Sequence, residues 1–247
     1  MAEHSERYDG VARWLVAHGY SVHAFDQRGH GSSEGPRNHA PGFETLLDDL
    51  SAFLSLVHRE EPGLPLILLG HSLGGLEVAA LLALRQPGVA AAVLSGPALS
   101  LASSVGPVAL ALGALVSRLL PRIRVSTGID PNGLCRDPAV VEAYVNDPRI
   151  DTRITLRLAT EVLSASQRIR GGPHRIRVPV LILHGEADPL CQVEGSRQFY
   201  AGLAPPGCGL RTYPGLLHEV LNEPEREEIL GDMHAWIEKH VGGGGLL

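Results

Sequence analysis

Apolar and polar positions recur along this chain in two different periods, and the switches between them outline its elements. Tyr8, Val11, Ala12, Leu15 and Val16 repeat at helical spacing, and Gly19 closes the segment. Ser21 to Phe25 reads as a short strand, followed by the glycine-rich loop Asp26-Gln27-Arg28-Gly29-His30-Gly31-Ser32-Ser33-Glu34-Gly35. Phe43, Leu46, Leu47, Leu50, Phe53, Leu54 and Val57 predict a second amphipathic helix that stops before Pro62-Gly63. Pro65 to Leu69 is an apolar run of strand length, and Gly75 to Leu84 is rich in helix formers. Val89 to Leu94, Val178 to His184 and Leu210 to Tyr213 read as strands, whereas Gly195 to Leu203 and Glu225 to Lys239 read as helices. Strands alternating with helices predict an α/β fold, a mostly parallel sheet with helices on both faces.

The alternation lapses between Gly96 and about Arg170, where an apolar helical piece (Val105 to Leu120) and three Asp-Pro breaks fall. This block reads as an insertion over the carboxyl ends of the strands, where such sheets bind ligands. The expected organisation is a core of residues 1–96 and 171–247 with a lid at 97–170. The stripe Val105, Val108, Leu110, Leu112, Leu115, Val116, Leu119 and Leu120 fits a core helix as well as an acyl channel or an interfacial patch.

Composition narrows the picture. A chain of 247 residues has room for one large α/β domain with an insertion. A net charge of −6 without a basic run argues against nucleic acid as a partner. Cys135, Cys191 and Cys208 form neither a disulfide framework nor a zinc pattern, so a reducing, cytoplasmic setting is expected. The polar segment Met1 to Arg7 lacks a signal-peptide core, and Val105 to Leu120 is too short and too broken to span a bilayer. The histidines lack ligand spacing and the glycine-rich stretches lack phosphate-loop patterns, so no metal or cofactor is expected.

The chemistry centres on Gly70-His71-Ser72-Leu73-Gly74, a Gly-x-Ser-x-Gly turn between an apolar strand and a helix. That context marks a nucleophile elbow. Small neighbours allow the tight turn, and the Leu73 N–H at the helix N-terminus faces any oxyanion formed there. A serine hydroxyl needs a base, and a histidine base works better when a carboxylate fixes its tautomer. In this fold the order is serine, acid, histidine, each partner following a late strand. Asp188 follows the strand ending at His184, with Glu186 as a rival acid, and His218 follows the strand ending at Tyr213. His30, His71 and His184 also lie near strand ends, but none comes after the acid. Ser33 and Glu34 read as turn formers.

The segment Glu3 to Tyr8, the Asp26 to Gly35 loop, the elbow, Gly185-Glu186-Ala187-Asp188 and Gly215-Leu216-Leu217-His218 together resemble the monoacylglycerol lipase and lysophospholipase branch of the α/β-hydrolases. That branch is also grouped with the serine aminopeptidase hydrolases. The resemblance covers nearly the whole chain. It implies Ser72 as nucleophile, Asp188 as acid and His218 as base, acting through an acyl-enzyme on a glycerol monoester or lysophospholipid. It implies a lid with an apolar face (Leu112, Leu115, Val116 and Leu119) for the acyl chain, and transient contact of that lid with a membrane or micelle. Cys191 matches a lid-side cysteine of the animal enzymes, read first as a packing residue. A small-ester carboxylesterase or perhydrolase with the same triad is the alternative within enzymes. A catalytically impaired lipid-binding remnant is the alternative outside them.

One departure bears on that last alternative. The family pattern has a strand and a His-Gly pair directly before the segment that here reads Met1-Ala2-Glu3-His4-Ser5. By register the second oxyanion donor is Met1, which would carry an ammonium. The expectation is an N-terminally shortened chain lacking three strands, roughly 25 to 40 residues. One lost oxyanion donor typically costs about 10²–10³ in turnover, so weak activity is expected.

Overall fold

The computed structural model describes residues 3–102, 106–172 and 175–241. In chain order the elements are α1 (Asp9–Ala17), α2 (Phe43–Glu60), β1 (Ile67–His71), α3 (Leu73–Leu84), β2 (Ala91–Ser95), α4 (Pro107–Leu119), β3 (Arg124–Ser126), α5 (Pro138–Asn146), β4 (Arg153–Thr155), α6 (Leu156–Gly171), β5 (Val180–Gly185), α7 (Val193–Ala201), β6 (Gly209–Tyr213) and α8 (Arg226–His240). Short 3-10 turns lie at Ser5–Tyr8 and Pro131–Gly133. The chain divides into two units: Met1–Pro62, Ser104–Ile129 and Ala143–Val162 form one, and Gly63–Ser103, Asp130–Glu142 and Leu163–Leu247 form the other.

The second unit holds a four-stranded sheet in the order β1-β2-β5-β6, parallel throughout. β2 and β5 are buried at every position, which requires cover on both faces and explains their continuous apolar runs. α3 packs on β1 and β2, α7 on β5 and β6, and α8 on β2. α3 is apolar on every face except for the buried Glu77, and it buries Leu73, Leu76 and Val78 through Leu82, as a helix enclosed in a core must. α8 buries Ile229, Leu230, Met233, Trp236 and Ile237, a stripe at spacings of three and four. Because the strands are parallel and in register (His71 opposite Ser95, Gly185 opposite Tyr213), the loops that follow them leave from one rim.

The first unit contains the antiparallel ribbon β3–β4 with α1, α2 and α4. α2 buries Phe43, Leu46, Leu47, Leu50, Leu54 and Val57, and the Phe25 ring lies 4.5 Å from that of Phe53. The Asp26 carboxylate accepts the amides of Ser5 and Ser32 at 2.7 Å each, tying the glycine-rich loop to the segment before α1. His4 pairs with Asp147 at 2.7 Å and Arg149 with Glu6 at 2.8 Å. These contacts tie the two motif segments to each other and to the residues just after α5 within their own unit.

Ser21 to Phe25 is not the strand expected from its pattern. Among the described residues no segment pairs with it, and a strand exists only through a ladder partner. Its polar side chains instead meet the end of α2: the Ser21 hydroxyl donates to Glu61 Oε1 at 2.6 Å, and His23 Nε2 lies 3.1 Å from the same oxygen. The Asp-Pro pairs are also more than breaks. Asp130 and Asp137 accept the amides two residues on, at 3.0 and 2.9 Å, with the proline opening the next turn or helix.

The apolar stripe of α4 lies on an exposed surface. Leu112 is 59% exposed and Leu119 76%, and Val108, Leu115 and Val116 are also exposed. Among the described residues no helix is long and apolar enough to cross a membrane.

Candidate active site

Ser72 occupies the turn between β1 and α3 with φ 53° and ψ −115°, a region that a side-chain-bearing residue enters only under constraint. The constraint is visible on both sides of it. The Ser72 N–H donates to Ser95 O at 3.0 Å, and its carbonyl accepts the amides of Ala98 and Leu76 at 2.9 and 3.1 Å. A Cβ at position 70 would stand 2.5 Å from Gly74 O, so only glycine admits this turn. Leu73 is buried and opens α3, where the first amides have no intrahelical acceptor.

Asp188 lies in the loop after β5 and is buried. Its Oδ1 accepts the amides of Leu190 at 2.8 Å and Cys191 at 2.9 Å. Its Oδ2 accepts from His218 Nδ1 at 2.7 Å and from His184 Nε2 at 3.2 Å. Burial alone would raise this carboxyl, but the hydrogen bonds from His184 and His218, and from the Cys191 amide, outweigh it and hold the group well below the usual carboxylate range. The rival Glu186 is exposed and takes the Thr212 hydroxyl at 2.8 Å instead.

His218 is buried in the loop after β6. With Nδ1 donating to Asp188, its Nε2 is left with an acceptor lone pair, the state a general base requires. The loop is fixed by its main chain: Leu217 N–H donates to Glu223 Oε1 at 2.8 Å, and Glu219 N–H to Leu134 O at 2.7 Å. Glu223 is fully buried and also accepts the Arg136 amide at 3.1 Å and Arg136 Nε at 3.0 Å. Gly185 is a point of close approach, since a Cβ there would lie 2.2 Å from Leu217 O.

The Cys191 thiol links these groups. One polar side-chain atom each of Asp188, Cys191 and His218 lies within 4.8 Å of the other two, and the Ser72 side chain is a neighbour of the thiol. Asp188 and His218 therefore stand together beside this sulfur. Burial, then the Asp188 charge, pushes that thiol well above its ordinary range against a lesser opposing effect from Ser72. The Asp188 carboxylate is already filled by four donors, which leaves it no free lone pair for a metal.

The sequence-expected Met1 donor lies outside the described residues. Leu112, Leu115, Val116 and Leu119 lie on α4, in the first unit, and are described there. Sequence reasoning missed two supports of the site, His184 and Glu223. The available signal for each was small: a histidine ending an otherwise aliphatic strand, and one acid among several after His218.

The family profile described as serine aminopeptidase, S33, matches residues 1–225. A monoacylglycerol lipase of Mycolicibacterium smegmatis is 38% identical over 242 residues, spanning 97% of this chain and 86% of its own. The human monoglyceride lipase is 31% identical over 249 residues, spanning 98% and 81%. The crystal structure of the Paleococcus ferrophilus monoacylglycerol lipase superimposes with a TM-score of 0.89 at 32% identity, covering 97% of this chain and 91% of that one.

Proposed function

The chain belongs to the serine aminopeptidase S33 family of α/β-hydrolases and is a carboxylic ester hydrolase; on that premise we propose that it cleaves monoacylglycerols or lysophospholipids with Ser72 as nucleophile. One observation supports this most: a buried 2.7 Å bond from His218 Nδ1 to Asp188 Oδ2, beside a serine on a strained strand-to-helix turn.

In the proposed reaction His218 Nε2 takes the Ser72 proton as Oγ attacks the ester carbonyl. Asp188 stabilises the imidazolium through Nδ1–H, and the Leu73 amide donates to the oxyanion. His218 then protonates the leaving alcohol. An acyl group remains on Ser72 until a water, deprotonated by His218, releases the acid. Strain of about 1–3 kcal/mol at Ser72 is tolerable because hydrogen bonds hold its backbone on both sides.

The exposed apolar face of α4 supports a lipid rather than a small ester. We read residues 97–170 as a lid, and Leu112, Leu115, Val116 and Leu119 as side chains that meet an acyl chain or a lipid surface. Free thiols at Cys135, Cys191 and Cys208 support a reducing, cytoplasmic setting.

The test is a panel of glycerol monoesters and lysophospholipids of increasing acyl length, with acetyl esters for comparison and Ser72→Ala as control. Rates that rise from acetyl to medium and long chains, and vanish in S72A, are expected. A preference for acetyl esters would overturn the lipid assignment, and undiminished activity in S72A would overturn the nucleophile.

A further inference from the structure

His184 is the last residue but one of β5, after four aliphatic residues, and it has no exposed surface. A leucine would fill that space as well, yet an imidazole occupies it with partners at both nitrogens. Nε2 lies 2.8 Å from Cys191 O and 3.2 Å from Asp188 Oδ2. Both of those atoms can only accept, so Nε2 carries the proton and is shared between them. Nδ1 lies 2.7 Å from the hydroxyl of Ser196, a fully buried residue of α7, and accepts from it. The direction of donation is thus fixed from Ser196 to His184 to Asp188, and from His218 to the same oxygen.

We propose that His184, its tautomer set by Ser196, is a positioning residue for the reaction: it holds the Asp188 carboxylate toward His218 and withdraws part of its charge. This rests on the assignment of Ser72, His218 and Asp188 given above. The four acceptor sites of the carboxylate are divided between two main-chain amides on Oδ1 and two imidazole N–H groups on Oδ2. A carboxylate with one donor fewer concentrates more charge on the remaining imidazole. Removing the His184 N–H therefore strengthens the pull of Asp188 on His218 and makes the His218 ring harder to deprotonate. The groups facing Asp188 are His184, His218 and the Cys191 thiol. Those facing His218 are Asp188, Cys191 and the His71 ring of β1, 4.7 Å away between centroids.

The test compares wild type with His184→Leu, His184→Gln and Ser196→Ala. Three quantities are read: kcat and KM on a soluble ester across about pH 5 to 9, the His218 ring titration by NMR, and the thermal midpoint. In H184L the acid limb and the ring titration are expected to move to higher pH by about half a unit to one unit. Its kcat falls about tenfold or more with little change in KM, because only the relay is altered. H184Q restores an N–H donor near Nε2 and brings both midpoints back toward wild type. S196A gives a smaller upward shift, and it decides the matter if H184L does not fold. An unmoved or downward shift in the variants, with activity falling only in step with thermal stability, would make His184 a packing residue and overturn the proposal. Failure of the relay assignment is a separate result. Wild type would then hydrolyse no ester, while the NMR titration of His218 would still report on His184.

Discussion

Glu223→Gln isolates the support beneath His218. The side chain is fully buried and receives three N–H donors: Leu217 N at 2.8 Å on Oε1, and Arg136 N at 3.1 Å and Nε at 3.0 Å on Oε2. Glutamine has the same shape but only one accepting oxygen. Whichever way its amide is turned, its NH₂ faces at least one part-buried N–H donor. Leaving such a donor unsatisfied costs about 1–3 kcal/mol. The ion pair with Arg136 adds about 1 kcal/mol or less, because Arg136 is 39% exposed and screened. A total of about 1–4 kcal/mol, at about 2–4 °C per kcal/mol for a domain of this size, lowers Tm by roughly 2–16 °C. Leu217 adjoins His218, so the same variant misplaces the proposed base, and kcat/KM drops by about one to two orders of magnitude. Thermal unfolding followed by circular dichroism, with initial ester-hydrolysis rates below the transition, reads both effects. A Tm within about 1 °C of wild type would refute the reasoning, because an unsatisfied part-buried donor costs more than that.

Gly185→Ala would drive a Cβ to 2.2 Å from Leu217 O, a backbone atom with no rotamer to retreat to. Hydrolysis about a hundredfold slower is expected, with loss of Ser72 reactivity toward an ester. The Asp188 carboxyl sits below its ordinary value in the fold, so its ionised form favours folding. That contribution is complete above about pH 5 and fades as pH falls toward the depressed folded-state value. The stability gap between wild type and Asp188→Asn, measured by urea titration, should therefore shrink as the solution is acidified from about pH 5. Burial lowers His30 from 6.5 to about 4, so unfolding takes up a proton between those values. Wild type should lose stability as pH falls from 6.5 to about 4, and His30→Gln should flatten that part of the profile.

Much of the site was legible because its positions follow from local grammar. A Gly-x-Ser-x-Gly turn needs an apolar strand before it and a helix after it, and β1 and α3 supply them. Asp188 and His218 stand where parallel strands end, and parallel strands end on one rim. The segment Ser21 to Phe25 was misread because alternation describes a surface, whereas a strand also needs a neighbour. Two of the three Asp-Pro pairs looked like interruptions and are starts, since an aspartate can accept the amide two residues on while the proline opens the next turn or helix. The α4 stripe could not be assigned to core or surface from its period. Its exposure depends on which side chains the rest of its unit leaves uncovered. His184 and Glu223 stayed hidden for a related reason. A buried polar residue takes its meaning from the donors and acceptors brought to it, and Ser196, Asp188, Leu217 and Arg136 come from other elements or loops.

The most direct measurement is the mass of the folded protein after exposure to a fluorophosphonate, followed by peptide mapping of the modified serine. One adduct on Ser72, formed rapidly in wild type and at least about a hundredfold more slowly in His218→Ala and Asp188→Asn, is the expected result. A folded wild-type chain left unmodified at Ser72, or labelled at the same rate without His218, would contradict the assignment of these three side chains to one proton relay.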